Sequence, residues 1–165
     1  MTLLIDDLVT DGLDSDYKEL AESVISETLD FLSFPYPVQV SLSLVSEEEI
    51  HVENKEFRNV DRVTDVLSFP MLTFPAPGDF SFIDECDDIR DPDTGEVVLG
   101  DIVLCTRKVI DQAAEFGHPV RREYAFLIAH SMLHLLGYDH VRSDEAKEME
   151  RLEDQILNGL GIGRD

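Results

Sequence analysis

The sequence predicts an α+β fold, in which a small mixed β-sheet carries helices packed on it. Three observations support this prediction: segments with alternating apolar residues, segments with apolar residues at helical spacing, and their order along the chain. That order is helix, strand, helix, strand, long loop, strand and three helices. With 165 residues, of which 43% are hydrophobic and 30% charged, the chain is expected to form a single domain over residues 1–165 with a substantial core.

The first half of the chain alternates predicted helices and strands. Residues 3–6 form a short strand or an ordered tail, and helical spacing of apolar residues predicts a helix over about 15–32. Residues 38–45 alternate apolar and polar side chains, which indicates a half-buried strand. The Ser-Glu-Glu-Glu run that follows is a capping box and predicts a helix over about 46–57. Residues 64–69 are rich in β-forming side chains, and a proline ends that strand.

The second half begins with a long loop and ends with helices. Residues 71–95 are rich in Pro, Gly and Asp and are expected to form a loop, with a short strand at Phe80–Ile83. The apolar run at 96–105 is typical of a central strand. Three helices follow. Their ends are indicated by N-capping residues, by a proline suited to a first helical turn and by glycines at which a helix can end. These helices are expected at about 106–116, from Pro119 through the histidine-rich segment, and at about 143–157.

The formal net charge of −23 is the least expected property of the composition. Strong net acidity favours solubility and repels polyanions at long range. Taken alone it argues against nucleic-acid binding, and no Lys/Arg-rich run is present. Any contact with RNA would therefore depend on a small local group of cations.

The chain carries no sign of export or of membrane insertion. Its first residues lack the basic-then-apolar order of a signal peptide, and no apolar stretch is long enough for a membrane span. We therefore expect a cytoplasmic protein with no membrane partner. In a reducing compartment no disulfide is expected between Cys86 and Cys105. Neither cysteine has CxxC spacing, so neither is expected to bind a metal.

The most informative motif is H-x3-H-x5-H, formed by His130, His134 and His140. On a helix, His130 and His134 project from one face, one turn apart. Gly137 can adopt the left-handed conformation that ends a helix, so the chain can bring His140 back to the same point. Three neutral imidazoles that converge on one point predict a first-row metal site, most simply one tetrahedral Zn²⁺ per chain with one position open.

The motif also matches the zinc-peptidase pattern H-E-x-x-H-x-x-G-x-x-H, except at its second position, which is Ser131. In the peptidases the glutamate at this position is the general base that acts on the zinc-bound water. A serine cannot do this at neutral pH without a base of its own. The predicted zinc helix is therefore metalloprotease-like in its ligands, while a metallopeptidase-like hydrolase is the weaker functional alternative.

The segment from His130 to His140 closely resembles the H-G-x-L-H-L-x-G-Y-D-H signature of the YbeY family of bacterial metal-dependent endoribonucleases, also called ribosomal RNA maturation factors. Residues 54–70 and 99–102 are similar to two further blocks of that family, so the resemblance covers the chain from about residue 40 onward. One departure is Ser131, where the family usually has glycine. Serine is small enough to allow the same close packing of the helix.

The resemblance implies a zinc-dependent endoribonuclease specific for single-stranded RNA. It implies a role in maturation of the 3′ end of small-subunit ribosomal RNA and in ribosome quality control. The implied partners are ribosomal RNA and the small ribosomal subunit with its proteins. The implied site has zinc on His130, His134 and His140, and Arg58 as the cation that stabilises the transition state.

Several assignments stay open at this level. From the residues alone, Arg58 would be a surface arginine paired with Glu53 or Asp61. The remaining candidates can line the cleft, support the ligands, or serve only a turn or cap; they are Asp65, Ser68, Ser131 and Asp139. The general base is also open, because the 2′-hydroxyl of the substrate can act as the nucleophile. A ribosome-assembly protein with a structural zinc and weak nuclease activity is a second alternative.

Overall fold

The structure is a computed structural model that describes residues 1–163. Within these residues, four strands form one sheet in the order β1-β2-β4-β3. The strands are β1 (Thr2–Asp7), β2 (Val38–Val45), β3 (Val66–Pro70) and β4 (Val97–Cys105). The helices are α1 (Tyr17–Phe31), α2 (Glu47–Arg58), α3 (Thr106–Phe116), α4 (Val120–Leu135) and α5 (Ser143–Gly159).

The sheet is mixed, which confirms the predicted α+β class. Strands β1, β2 and β4 are parallel to one another, while β3 pairs antiparallel with β4 and forms an edge of the sheet. Successive side chains of a strand point to opposite faces, so β4 serves two layers. Ile102 and Leu104 join the main core, to which α1, α4 and α5 contribute, and Val103 and Cys105 join a smaller cluster with Ile50 of α2.

The predicted helices and strands are found with small shifts at their ends. Residues 3–6 belong to β1. One half of the predicted capping box forms, because the Ser46 hydroxyl accepts the backbone N–H of Glu49 at 3.2 Å and caps α2. No helix in residues 1–163 has the length and apolar character needed to cross a membrane.

The strand predicted at Phe80–Ile83 is wrong. The loop instead contains two short 3₁₀ helices, Ile83–Glu85 and Asp87–Ile89. Local bonds between residues three apart, such as Glu85 N–H to Phe82 O at 3.1 Å, satisfy the backbone where a strand would need a neighbour. Phe80 and Phe82 pack edge-to-face on Phe74 within the loop.

The edge strand β3 and helix α4 lie side by side and together position the site. The hydroxyl oxygens of Ser68 on β3 and Ser131 on α4 are 2.6 Å apart, so one donates a hydrogen bond to the other. Further along, Gly100 of β4 lies so close to Phe69 and Leu135 that an added Cβ would stand 2.3 Å from the Phe69 carbonyl oxygen. This close packing fixes the histidine face of α4 beside the edge of the sheet.

Candidate metal centre

Three histidine side chains converge at the end of α4. One ring nitrogen from each of His130, His134 and His140 lies within 4.8 Å of the others. The Nε2 atoms of His130 and His134 are 3.2 Å apart. Two nitrogens on one tetrahedral zinc-like ion, at about 2.0–2.1 Å each, would be about 3.3–3.4 Å apart. The pair is therefore spaced as two ligands of one ion, and the three-nitrogen donor set fits such a metal.

The turn after α4 brings the third histidine to the first two. Gly137 has φ +97°, a backbone conformation that residues with a Cβ rarely adopt. The backbone N–H of Tyr138 then returns to the Leu133 carbonyl at 2.9 Å. Asp139 Oδ1 accepts the backbone N–H of His140 at 2.8 Å, so Asp139 holds the turn that carries this ligand.

The imidazole of His134 is held in the form that binds a metal. Its Nδ1 lies 3.0 Å from the Tyr138 carbonyl oxygen, which can only accept, so Nδ1 carries the hydrogen and Nε2 keeps its lone pair. Burial, together with the nearby His130 and His140, lowers the pKa of His134 to about 4. The ring is therefore neutral near pH 7, as a metal ligand must be.

A glutamate outside the motif contacts the first histidine. Glu153 Oε1 lies 2.6 Å from His130 Nδ1, and only 5% of the Glu153 side chain is exposed. Sequence reasoning missed this residue because α5 carries many acidic side chains. The signal was its spacing, because position 153 falls on the same face as the buried apolar residues of α5, which are Met149, Leu152, Ile156 and Leu157.

An open cleft of about 790 Å³ lies over the histidines. Its walls come from the end of α2, strand β3, the following loop, helix α4 and the turn after it. The predicted site residues among its lining are Arg58, Asp65, Ser68, His130, His134, Asp139 and His140. Ser131 does not line the cleft, because it is fully buried against Ser68.

Arg58 lines this cleft and has no carboxylate partner among the described side chains. Sequence reasoning offered Glu53 or Asp61 as its partner, but Asp61 contacts His51 at 2.7 Å and Lys55 at 3.9 Å instead. Within residues 1–163, the Arg58 guanidinium makes no salt bridge and no side-chain hydrogen bond. The arginine is therefore available to an anion that enters the cleft.

Asp65 has a structural role that its place in the cleft does not reveal. Its Oδ1 accepts the backbone N–H of Val66 at 2.7 Å, and the Gln112 side-chain amide donates to Oδ2 at 3.4 Å. Asp65 therefore helps to hold the start of β3 against α3, and it also lines the cleft.

The fold and the site define a class: an α+β protein in which three histidines on a helix and its following turn form a candidate metal centre in an open cleft. The chain belongs to the family described as Endoribonuclease YbeY, whose family model matches residues 6–161. This confirms the family resemblance seen in the sequence.

Individual relatives cover almost the whole chain. A protein of Agathobacter rectalis named Endoribonuclease YbeY is 53% identical over 165 residues, which span 99% of this chain and 100% of that protein. A protein of the same name from Lachnospira eligens is 44% identical over 169 residues, with 99% and 100% coverage. The solution structure of TM1509 from Thermotoga maritima is 25% identical, covers 97% of this chain and 92% of that chain, and superposes with a TM-score of 0.57.

Proposed function

We propose that this protein is a zinc-dependent endoribonuclease that cleaves single-stranded RNA, in maturation of the 3′ end of small-subunit ribosomal RNA and in ribosome quality control. One observation carries the proposal: three histidine nitrogens and an unpaired arginine face the same cleft. The relatives named Endoribonuclease YbeY support the assignment to RNA. The proposal treats residues 1–165 as one domain that works in the cytoplasm.

The donor set favours zinc, one ion per chain, held by His130, His134 and His140. Neutral imidazoles suit zinc among the common biological ions, and three protein ligands leave one position open, as in catalytic zinc sites. When bound, the ion would supply Lewis acidity at the floor of the cleft. The fixed Nδ1 hydrogen bonds of His130 and His134 support this assignment, because they direct both Nε2 lone pairs to one point.

Arg58 is proposed as the catalytic residue that binds the phosphodiester. Its planar guanidinium can donate two parallel hydrogen bonds to phosphoryl oxygens and stabilises negative charge that develops during cleavage. Because no carboxylate within residues 1–163 neutralises it, no internal ion pair has to break when the phosphate arrives.

The size of the cleft supports a preference for single strands. A volume of about 790 Å³ lies within the range of about 300–1,000 Å³ that is typical of pockets for small molecules. Such a cleft admits one or two nucleotides of an unpaired strand, whereas the bases of a duplex stay stacked inside the helix. The 2′-hydroxyl of the bound nucleotide or a water molecule would then attack the phosphorus and lose its proton to solvent. The bond from phosphorus to one bridging ester oxygen would break, and that oxygen would take up a proton and leave as a hydroxyl group.

The metallopeptidase alternative lacks a base in the position that it requires. Ser131 occupies the place of the peptidase glutamate, is fully buried, and is bonded to Ser68 rather than exposed to the cleft. The acids that do line the cleft, Asp65 and Asp139, already accept backbone N–H groups. The site therefore fits phosphodiester cleavage better than peptide hydrolysis.

The proposed partners are ribosomal RNA and the small ribosomal subunit with its proteins. A chain with a net charge of −23 is attracted to basic proteins, and ribosomal proteins have such surfaces. Binding to a basic protein would bring the cleft close to RNA that the rest of this acidic surface repels.

The test combines metal analysis with cleavage of a labelled single-stranded RNA and of its duplex. Wild type should contain one zinc per chain and cut only the single strand. His134→Ala should lose both zinc and cleavage, whereas Arg58→Ala should keep zinc and lose about 10²–10³-fold in rate, as expected for one charge-stabilising donor. The matched control is Arg62→Ala, an exposed arginine outside the cleft, which should cut at the wild-type rate.

Two outcomes contradict the proposal. Cleavage that survives complete removal of metal would exclude the histidine site from the reaction. A wild-type protein that holds zinc and sediments with the small subunit, but does not cleave RNA, would favour the assembly protein with a structural zinc.

A further inference from the structure

We propose that Glu153 is a positioning residue of the metal centre, which fixes the tautomer and the orientation of His130. The inference rests on the metal site of the proposed function. It adds to the three-histidine motif a residue from α5, an element that carries none of the motif.

The contact itself determines which His130 nitrogen is free. Glu153 Oε1 lies 2.6 Å from His130 Nδ1, and an ionised carboxylate can only accept a hydrogen bond. Nδ1 must therefore carry the hydrogen, which leaves the lone pair on Nε2. That lone pair faces the cleft, where His134 Nε2 is 3.2 Å away.

The ring of His130 is also held from its flank. Phe126, one turn earlier on α4, stacks beside it with ring centroids 6.1 Å apart and planes 28° apart. A stacked neighbour restrains the plane of the ring, but it does not distinguish one ring nitrogen from the other. That distinction comes from Glu153.

The three ligands are supported in different ways. His134 donates to a backbone carbonyl of its own turn, so the fold of that turn is sufficient to orient it. His130 relies on a side chain 23 residues away, on another helix. Its orientation therefore depends on how α5 docks, which the buried Met149, Leu152 and Ile156 secure.

A buried carboxylate in this position needs a reason. Removing a carboxylate from water costs free energy, and apolar side chains of similar volume often give a more stable protein. Glu153 is 4% exposed on a face of α5 that is otherwise apolar. A negative charge behind a metal ligand makes the ligand a stronger donor and offsets part of the charge of the ion, and loss of such a partner typically weakens metal binding about 10–100-fold.

The test measures zinc affinity by competition with a chromophoric chelator at one fixed pH. Glu153→Leu should raise the zinc Kd about 10–100-fold. Glu153→Gln should raise it less, because its amide oxygen can still accept the hydrogen bond without the charge. The matched control is Glu123→Gln, a carboxylate with the same 4% exposure but on the opposite end of α4 from the histidines. Its zinc Kd should stay within about twofold of wild type.

Two spectroscopic readouts separate positioning from simple packing. Nitrogen-15 NMR of the metal-free protein should find His130 in the Nδ1–H form in wild type and in a mixture of forms in Glu153→Leu. The visible absorption of the cobalt-loaded protein should shift in both Glu153 variants and not in the control. If Glu153→Leu does not fold, Glu153→Gln carries both measurements.

Unchanged zinc Kd and unchanged cobalt absorption in the folded Glu153 variants would overturn the inference. The inference would also be overturned if the metal-free Glu153 variants were less stable but bound zinc with normal affinity, because Glu153 would then only anchor α5. The inference and the proposed function can fail separately. If the Glu153 variants weaken zinc binding as expected but the wild-type protein cuts no RNA, only the proposed function is refuted.

Discussion

Replacing Gly137 by alanine is predicted to disturb both the fold and the candidate metal centre. Gly137 follows α4 with φ +97°, and a Cβ built on it would lie 2.8 Å from the Cβ of Phe74 and 2.9 Å from its Cγ. Real Cβ atoms do not approach other atoms so closely, so the loop that carries Phe74 would have to move. That loop forms one wall of the cleft.

The magnitude has two parts. The left-handed conformation costs a residue with a Cβ about 1–2 kcal/mol. Forcing an extra carbon into a packed position costs about 1–3 kcal/mol more. Gly117→Ala is the matched control, because Gly117 also ends a helix with φ +69° but has no atom within 4 Å of its added Cβ. The stability of the control should fall only by the conformational cost. The difference in free energy of unfolding between the two variants therefore measures the cost of the contact with Phe74.

Urea unfolding of the metal-free protein gives the free energy of unfolding of each variant. The free energy of unfolding should fall by about 2–5 kcal/mol in Gly137→Ala and by about 1–2 kcal/mol in Gly117→Ala. Zinc affinity should fall only in Gly137→Ala, because this residue lies between the ligands His134 and His140. Equal losses of stability would show that Phe74 moves without cost. Unchanged zinc affinity would show that the turn can place His140 without a glycine.

Other predictions concern protonation, thiol reactivity and the buried serine pair. The metal-free protein should lose about 3 kcal/mol of stability as pH falls from about 6.5 to about 4. The reason is that His134 takes up a proton in the unfolded chain over this range but not in the folded protein, where it is buried. Urea unfolding of His134→Gln should not show this pH-dependent loss of stability. Cys86 should react with Ellman's reagent in the native protein. Cys105 should react only after unfolding, because it is buried and burial raises the pKa of its thiol. Two thiols that react rapidly in the native protein would contradict the burial of Cys105. Ser131→Ala should cost about 1 kcal/mol through loss of the bond to Ser68, measured by urea unfolding, with one zinc per chain retained; metal loss would refute a purely packing role.

The ligand triad could be predicted from the sequence because its geometry is local. The helical repeat places His130 and His134 on one face, and a glycine with positive φ turns the chain back toward His140. Nothing distant is needed to bring these three side chains together.

The rest of the cleft depends on contacts between distant parts of the chain. Ser68 lines the histidine cleft because β3 pairs with β4 at the edge of the sheet and packs beside α4. Arg58 lines it because α2 packs on β3 through Phe57 and Phe69, and no local pattern specifies either arrangement. Glu153 was missed because its charge is like that of its neighbours on α5, although its spacing puts it on the buried apolar face of that helix. The strand predicted at Phe80–Ile83 was wrong because Phe80 and Phe82 pack on Phe74 within the loop.

The acidity of the chain and an RNA substrate are compatible because of how the cations are used. Six lysines and arginines form salt bridges with carboxylates in the described part of the chain: Lys18, Lys55, Arg107, Arg121, Arg142 and Arg151. Arg58 is the only lysine or arginine among the residues that line the cleft within residues 1–163, and it has no such partner. An RNA strand that enters the cleft therefore meets one arginine without a carboxylate partner, on a chain whose net charge of −23 repels it at long range.

This arrangement predicts an unusually weak salt dependence of RNA binding. For single strands, the logarithm of the binding constant falls with the logarithm of salt concentration by about 0.7 per phosphate contacted. One arginine in the metal-free protein should thus give a slope near about −0.7, measured by fluorescence anisotropy with a short single-stranded RNA, and salt should also screen the repulsion from the remaining acidic surface. Arg58→Ala should bring the slope to zero or make it positive, because only the screened repulsion then depends on salt. A slope steeper than about −3 would require at least four phosphate contacts and would place RNA on a basic surface outside the cleft.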